Sequence, residues 1–170
     1  QPAVGGIYAP NNLRQVHARG IETALQYSRK INKWFINASL QYAWCRSTIS
    51  ETNVPSENAT IGKQLIYVPE HVFNANVTVK WQSVELFISN SYIGDRYTTS
   101  DNSSELESYN ITNLKIEKTF INSILPLSLY LKVMNLFDTT YQVLAYRPMP
   151  GRWFSAGVKI NLHIPVKTSK

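Results

Sequence analysis

Apolar and polar residues alternate along most of this chain. From Trp34 the even positions read Trp34, Ile36, Ala38, Leu40, Tyr42 and Trp44, while the odd positions read Phe35, Asn37, Ser39, Gln41, Ala43 and Cys45. Phe73, Ala75, Val77, Val79 and Trp81 then stand against Asn74, Asn76, Thr78 and Lys80, and Val84, Leu86 and Ile88 against Glu85, Phe87 and Ser89. Successive side chains of a strand point to opposite faces, so a period of two gathers the apolar residues on one side, and helical spacing fits none of these segments. Weaker alternation marks Ile21, Leu25 and Tyr27, and Leu127, Leu129, Leu131 and Val133; the last run, Phe154 to Leu162, is clean. The pattern predicts seven strands, at about 13–29, 34–47, 65–81, 84–97, 107–120, 127–137 and 152–162. In the fifth, Tyr109 and Ile111 fall on odd positions but Leu114 and Ile116 on even ones, which predicts a bulge near Thr112 or Asn113.

The connections alternate strictly between short and long. Lys30 to Lys33, Gln82 to Ser83 and Ile121 to Pro126 are short; Thr48 to Gln64, Thr98 to Leu106 and Asp138 to Gly151 are long. A two-sheet sandwich has no reason to sort its turns by length onto two sides, whereas outer-membrane barrels carry short periplasmic turns and longer extracellular loops. The predicted strands, at about 11 to 17 residues, are long beside a usual roughly 5 or 6, and a bilayer crossing takes about 9 to 11 tilted residues. Trp34 and Trp44 share a face; at about 3.3 Å per residue and a tilt near 45° their separation corresponds to roughly 23 Å of height, close to an apolar band of about 25 Å between two aromatic girdles. Phe73 and Trp81 bracket the next strand in the same way. The expected fold is all-β, an antiparallel sheet belonging to a transmembrane β-barrel.

Composition agrees without adding a site. Of the 170 residues 44% are hydrophobic and only 16% charged, while aromatics reach 12% with ten Tyr and four Trp. Asn, Ser and Thr replace the missing charge, as expected of a surface that is polar on one face and lipid-facing on the other. The mean hydropathy of −0.22 carries no trace of this, because membrane strands are apolar only at alternate positions. No apolar run is long enough for a membrane helix. Cys45 is the single cysteine, and His17, His71 and His163 show no metal-ligand spacing. The net charge of +6 is spread along the chain, so nucleic acid is not an expected partner. No nucleophile elbow is present, and the expectation is a protein that is not an enzyme and holds no cofactor. Asp95, Asp101, Glu105 and Glu107 match no defined calcium loop and read as a solvated acidic loop.

The segment V-M-N-L-F-D-T-T-Y from Val133 to Tyr141, P-M-P-G-R from Pro148 to Arg152 and a last strand ending V-K-I-N-L resemble the C-terminal end of TonB-dependent outer-membrane receptors. A-R-G-I-E at Ala18, L-I-Y-V-P-E-H at Leu65 and I-G-D-R-Y at Ile93 add weaker matches, so the resemblance runs from about Asn11 to Leu162. The motif residues are Asn135, Leu136, Phe137, Asp138, Tyr141, Pro148, Pro150, Gly151 and Arg152. Asn135 and Asp138 are expected to bond local backbone at the end of a strand, and Pro148, Pro150 and Gly151 to keep the loop from pairing. Gly94 is expected at a bulge or close approach.

The resemblance implies the last seven strands of a 22-stranded barrel with a plugged lumen. Residues 1–12 would end an extracellular loop, 13–162 would form the wall, and 163–170 would be a periplasmic tail; the family usually ends on an aromatic, where this strand ends at Leu162. A plug and a segment engaging the TonB–ExbB–ExbD complex would lie upstream of this sequence. The implied role is import, across the bacterial outer membrane, of a scarce bulky nutrient of the siderophore-iron or cobalamin class. Outer-membrane lipid, lipopolysaccharide and a surface lipoprotein are the further implied partners. Arg96, Tyr97, Tyr141, Tyr146 and Arg147 are the expected ligand contacts, because aromatics and Arg concentrate binding energy. Two other readings stand beside this one: a self-contained eight-stranded barrel with an anchoring role, which would need another strand within Ala3 to Pro10, and a soluble β-sandwich binding module.

Overall fold

The computed structural model describes residues 14–120 and 127–160. Its strands are β1 (Arg14–Ile31), β2 (Trp34–Thr52), β3 (His71–Trp81), β4 (Val84–Ile93), β5 (Arg96–Tyr97), β6 (Glu105–Leu106), β7 (Tyr109–Phe120), β8 (Leu127–Met134), β9 (Gln142–Leu144), β10 (Arg147–Pro148) and β11 (Trp153–Ile160). Seven of them form one antiparallel sheet in the order β1-β2-β3-β4-β7-β8-β11. Each lies beside its neighbour in the chain, the arrangement of an up-and-down barrel wall, and the sheet is open. The pairs β5–β6 and β9–β10 are separate two-stranded ribbons inside the long connections.

Cross-strand register fixes which side chains share a face. Leu40 stands between Leu25 and Ala75, Ala75 opposite Asn90, and Val79 opposite Leu86. Further along the sheet, Leu86 is opposite Ile116, Ile116 opposite Leu131, and Leu131 opposite Ala156. One face therefore carries an apolar band across all seven strands, broken on β4 and β7 where Asn90 donates to Asn110 and Thr112. The other carries Asn, Ser, Thr, Gln and charged residues, and its side chains bond between strands: Asn76 to Ser39, Ser91 to Asn74, Asn113 to Ser89, and Thr119 with Ser128 at 2.9 Å.

Nothing among the described residues covers the apolar face. Among the described residues Ile49 is the one buried hydrophobic side chain, whereas Leu25, Ile116, Leu131 and Val158 are exposed by 69%, 45%, 46% and 60%. A single-layer sheet of this kind leaves open an apolar face that soluble domains bury under a second layer. Aromatics bound the band. At the short-turn end Trp34 stacks on Trp81, ring centroids 5.8 Å apart, and at the other end Tyr42 stands opposite Phe73 and Phe73 opposite Tyr92.

The strand limits depart from the alternation in three places. β2 continues to Thr52, because after β3 has ended it still pairs with β1. The stretch 65–70 is not a strand: Tyr67 adopts φ 58°, its N–H donates to the Tyr97 carbonyl, and β3 starts at His71. The bulge expected near Thr112 or Asn113 is absent, since β4 and β7 pair without a break from Val84↔Lys118 to Ile93↔Tyr109. Tyr109 and Ile111 lie on the polar face instead, where Tyr109 packs against residues of the long connections. The bulge in the sheet is between Gln15 and Val16. The short turns after Ile31 and Trp81 each begin on a positive φ, Asn32 at 52° and Gln82 at 53°; the predicted turn 121–126 lies outside the described residues, as do 1–12 and 161–170.

Candidate functional site at the long-connection rim

All three long connections emerge from one end of the sheet and lock onto one another. In the first, a 3-10 turn at Pro55–Thr60 brings Glu57 to Arg14, whose Nη2 is 2.7 Å from a Glu57 carboxylate oxygen. Gln64, almost fully buried, is the clasp between the first and second connections. Its Oε1 accepts from the Ser47 N–H, its own N–H donates to Asn102 Oδ1, and its carbonyl accepts from Asn102 Nδ2. Asn102 reaches this position on a φ of 60°, in the left-handed region that Asn tolerates better than most residues.

The second and third connections meet at Arg96, which is 4% exposed. Its guanidinium donates to the carbonyls of Gln142 (3.0 Å), Glu107 (3.3 Å) and Val143 (3.4 Å), and lies over the Tyr109 ring at 4.8 Å. Tyr109 in turn packs on Tyr141 with ring centroids 4.7 Å apart. A groove of about 280 Å³ opens beside the two rings, lined also by Glu105, Glu107, Ser108 and Gln142. Asp95 and Asp101 serve the local backbone: Asp95 accepts from the Ser108 N–H, and Asp101 from the Ser103 N–H and hydroxyl. The Thr99 and Ser103 side chains, foremost, hold the exposed Asp101 carboxyl down at about 2.

The third connection closes on itself around Asn135, which is 3% exposed with φ 52°. Its side chain donates to the Thr139 carbonyl and accepts the Thr139 N–H, both at 2.9 Å, while its own N–H donates to Asn113 Oδ1. Asp138, at φ 56°, accepts the Arg152 N–H at 2.6 Å, and Arg152 Nη1 reaches the Leu136 carbonyl. A Cβ on Gly151 would sit 2.6 Å from Asp138 Oδ1, so the carboxylate occupies the space that only glycine leaves free. Asn135, Asp138, Gly151 and Arg152 thus form one ring that returns the chain from β8 into β11.

The family described as "TonB dependent receptor-like, beta-barrel" matches residues 1–136. The chain belongs to this receptor family. No curated protein matches the chain. Among solved structures, TonB-dependent receptor folds of low identity superpose on it. The siderophore receptor PiuA from Acinetobacter baumannii does so with a TM-score of 0.69 at 20% identity over 84% of this chain and 21% of that one. The ferric-catecholate import receptor Fiu from Escherichia coli K12 gives 0.64 at 22% identity over 93% and 22%. The ferric yersiniabactin uptake receptor FyuA from Yersinia pestis gives 0.63 at 17% identity over 87% and 22%. The chain thus spans about a fifth of the length of each receptor.

Within this receptor wall the five expected ligand contacts separate. Arg96 is buried beneath the connections, and the Tyr97 carbonyl holds Tyr67. Tyr141 borders the groove, its carbonyl taken by the Met149 N–H. Tyr146 is 95% exposed at the tip between β9 and β10, with φ 62°, and Arg147 is exposed beside it. Pro148 pairs with Gln142 instead of preventing pairing; the register shifts there and the ribbon ends. Gly94 is at a close approach, its N–H on the His71 carbonyl at 2.9 Å. Phe137 is exposed and Pro150 leads into β11. Tyr109, Gln64 and Asn102 were not legible as rim residues: Tyr109 reads as a strand aromatic out of phase, and Gln64 and Asn102 lie too far apart in sequence to suggest a pair.

Proposed function

We propose that this chain is part of the wall of a 22-stranded outer-membrane receptor that imports a scarce bulky nutrient under TonB control, with ferric siderophores the favoured class. The single observation carrying the membrane part is the broad apolar face bounded by aromatics and running across all seven strands, with a bonded polar face behind it. The siderophore preference rests on the names of the three similar structures. In this reading the short turns face the periplasm and the interlocked rim faces outward. Residues 13–162 form the wall, 1–12 end an outer loop and 163–170 form a periplasmic tail. Tyr141, Tyr146 and Arg147 are the ligand contacts, while Arg96 and Tyr97 act beneath them as supports. Plug and TonB–ExbB–ExbD contacts belong to an upstream region of the receptor, and the protein acts by transport, not by catalysis.

Orientation is tested by labelling. In a Cys45→Ser background, Tyr146→Cys should react with a membrane-impermeant maleimide on intact cells, and Lys33→Cys only after the outer membrane is permeabilised. Equal reaction at both positions would defeat the reading. For the ligand, uptake of a labelled ferric siderophore panel against cobalamin, with and without TonB, separates the two nutrient classes. Unchanged affinity of the intact receptor carrying Ala at Tyr141, Tyr146 and Arg147 would remove those contacts.

A further inference from the structure

The groove beside Tyr109 and Tyr141 has one wall on each of two connections. Glu105 to Tyr109 belong to the second connection and Thr140 to Gln142 to the third, so the width of the groove depends on where the second connection is held. That connection has little hold on itself. β5 and β6 pair only as Arg96↔Leu106 and Tyr97↔Glu105, and an isolated ribbon that short is marginally stable at best. Toward the third connection, Arg96 binds the Gln142 and Val143 carbonyls and β6 lies against β9. Its other ties run to the first connection: the Tyr67 N–H on the Tyr97 carbonyl, and the exchange between Gln64 and Asn102.

The Gln64 and Asn102 tie is built as a fixed point. The Asn102 amide meets the Gln64 N–H and carbonyl at 2.9 and 3.0 Å, as a paired strand would. The Gln64 side chain is engaged by the Ser47 N–H of β2 and the Val68 carbonyl, so at 5% exposure this residue leaves none of its polar groups unmet. Buried amides bonded this completely hold one geometry. The first connection does not line the groove, and its 3-10 turn lies against β2 and, among the described elements, against no other. We infer that Gln64 and Asn102 are positioning residues for ligand binding at the groove. They carry the placement of β2 through the second connection to the Glu105–Tyr109 wall, so the first connection sets the grip on a ligand that it does not touch. A wall already in place removes the entropy of ordering it from the binding step, and a shift of about 1 Å at a distant support is enough to loosen a contact. The inference rests on the ligand-binding reading of Tyr141 proposed above.

The test uses the intact receptor in detergent carrying Gln64→Met, Asn102→Gly or Asn102→Asp, each alone and combined with Tyr141→Ala. Asn102→Gly removes the amide and keeps the left-handed backbone at ease, whereas Asn102→Asp keeps the acceptor for the Gln64 N–H. The probes are the iron(III) complexes of a tricatecholate and of a trihydroxamate, titrated by quenching of tryptophan fluorescence. Gln64→Met and Asn102→Gly should each weaken the complex that binds the wild type by at least about fivefold, and no further when combined, with Asn102→Asp intermediate. In the Tyr141→Ala background the same changes should have no effect. Losses of equal size in both backgrounds, or none in either, overturn the inference. Hydrogen exchange without ligand gives a second reading: the 140–149 segment should exchange at least about twofold faster in both variants. Faster exchange confined to the 99–104 turn makes the tie a local one and overturns the inference as well. Heat-modifiable gel mobility identifies the folded variants, and Asn102→Gly, at a half-buried residue, carries the test where Gln64→Met does not fold. Binding by the wild type with unaltered variants sinks the positioning role alone, whereas a wild type that binds neither complex sinks the siderophore reading and this inference with it.

Discussion

Asn135 combines two separable contributions, and a series of three substitutions resolves them. Its side chain satisfies both the N–H and the carbonyl of Thr139 from a nearly buried position. Its backbone also holds φ 52°. Asn135→Gly removes both side-chain bonds and keeps the backbone at ease, for an expected loss of about 1–3 kcal/mol. Asn135→Ala removes the same bonds and adds the left-handed penalty of about 1–2 kcal/mol, giving about 2–5 kcal/mol. Asn135→Asp keeps the acceptor for the Thr139 N–H and should fall between wild type and Gly. The measurement is amide hydrogen exchange at Thr139 in the intact receptor. Because each 1.4 kcal/mol is a factor of ten, exchange should rise at least about fivefold in the Gly variant and further in the Ala variant. An Ala variant no worse than Gly would show that the left-handed backbone is not enforced there, and an unchanged Thr139 amide would refute the ring itself.

Three further outcomes are expected. Arg96→Met leaves the carbonyls of Glu107, Gln142 and Val143 without their donor and should loosen the second and third connections by about 2–4 kcal/mol, read as faster chymotrypsin cleavage after Tyr141 or Tyr146; Arg96→Lys, which lacks the planar fork, should rescue poorly. A Cβ at Gly157 would collide with the Tyr130 hydroxyl and ring, so Gly157→Ala must displace that ring; a double-mutant cycle with Tyr130→Ala in urea unfolding should show coupling of about 0.5–3 kcal/mol, and strict additivity would refute the contact. Because the folded-state Asp101 carboxyl is depressed from 3.8 to about 2, its contribution to the order of the 99–104 turn is complete above the unfolded value and lost as pH falls through about 2; protection of the Ser103 amide should follow that window, and loss already at pH 4 would refute the assignment.

The wall was legible in the sequence because a strand pairs with both neighbours in one register, so a period of two survives wherever one face meets an apolar solvent. Phe73 to Trp81 shows this most plainly, with every odd residue on the apolar face. Legibility fails where tertiary contact replaces that solvent. Tyr109 leaves the pattern because Arg96 and Tyr141 cover it, and the alternation in β2 loses its meaning above Trp44, where Ser47 and Ile49 are buried by the first connection. The stretch 65–70 reads as strand from its apolar residues alone, yet Tyr67 turns on a positive φ to meet Tyr97. Asn135, Asp138 and Gly151 were visible as a motif, and the structure supplies the reason for their spacing: one carboxylate fills the hole a glycine leaves. The Gln64 and Asn102 clasp has no local signature, since each residue's partners lie in another connection.

The hairpin of β1 and β2 outlasts its neighbour. β3 leaves the sheet at the level of Trp44, and from Cys45 to Thr52 the two strands continue as a ribbon that, at about 3.3 Å per residue, reaches roughly 25 Å further. Near its free end Arg14 grips Glu57, and near its root Gln64 ties Ser47 to the second connection. In mechanical terms this is a cantilever braced near both ends and also between them, where the Gly62 and Leu65 N–H groups donate to the Ile49 and Ser47 carbonyls and the Ile49 N–H to the Lys63 carbonyl. A load applied at its tip is carried as bending to the junction at Trp44 and His71, so the rim answers a push there by swinging as one piece and not by unravelling.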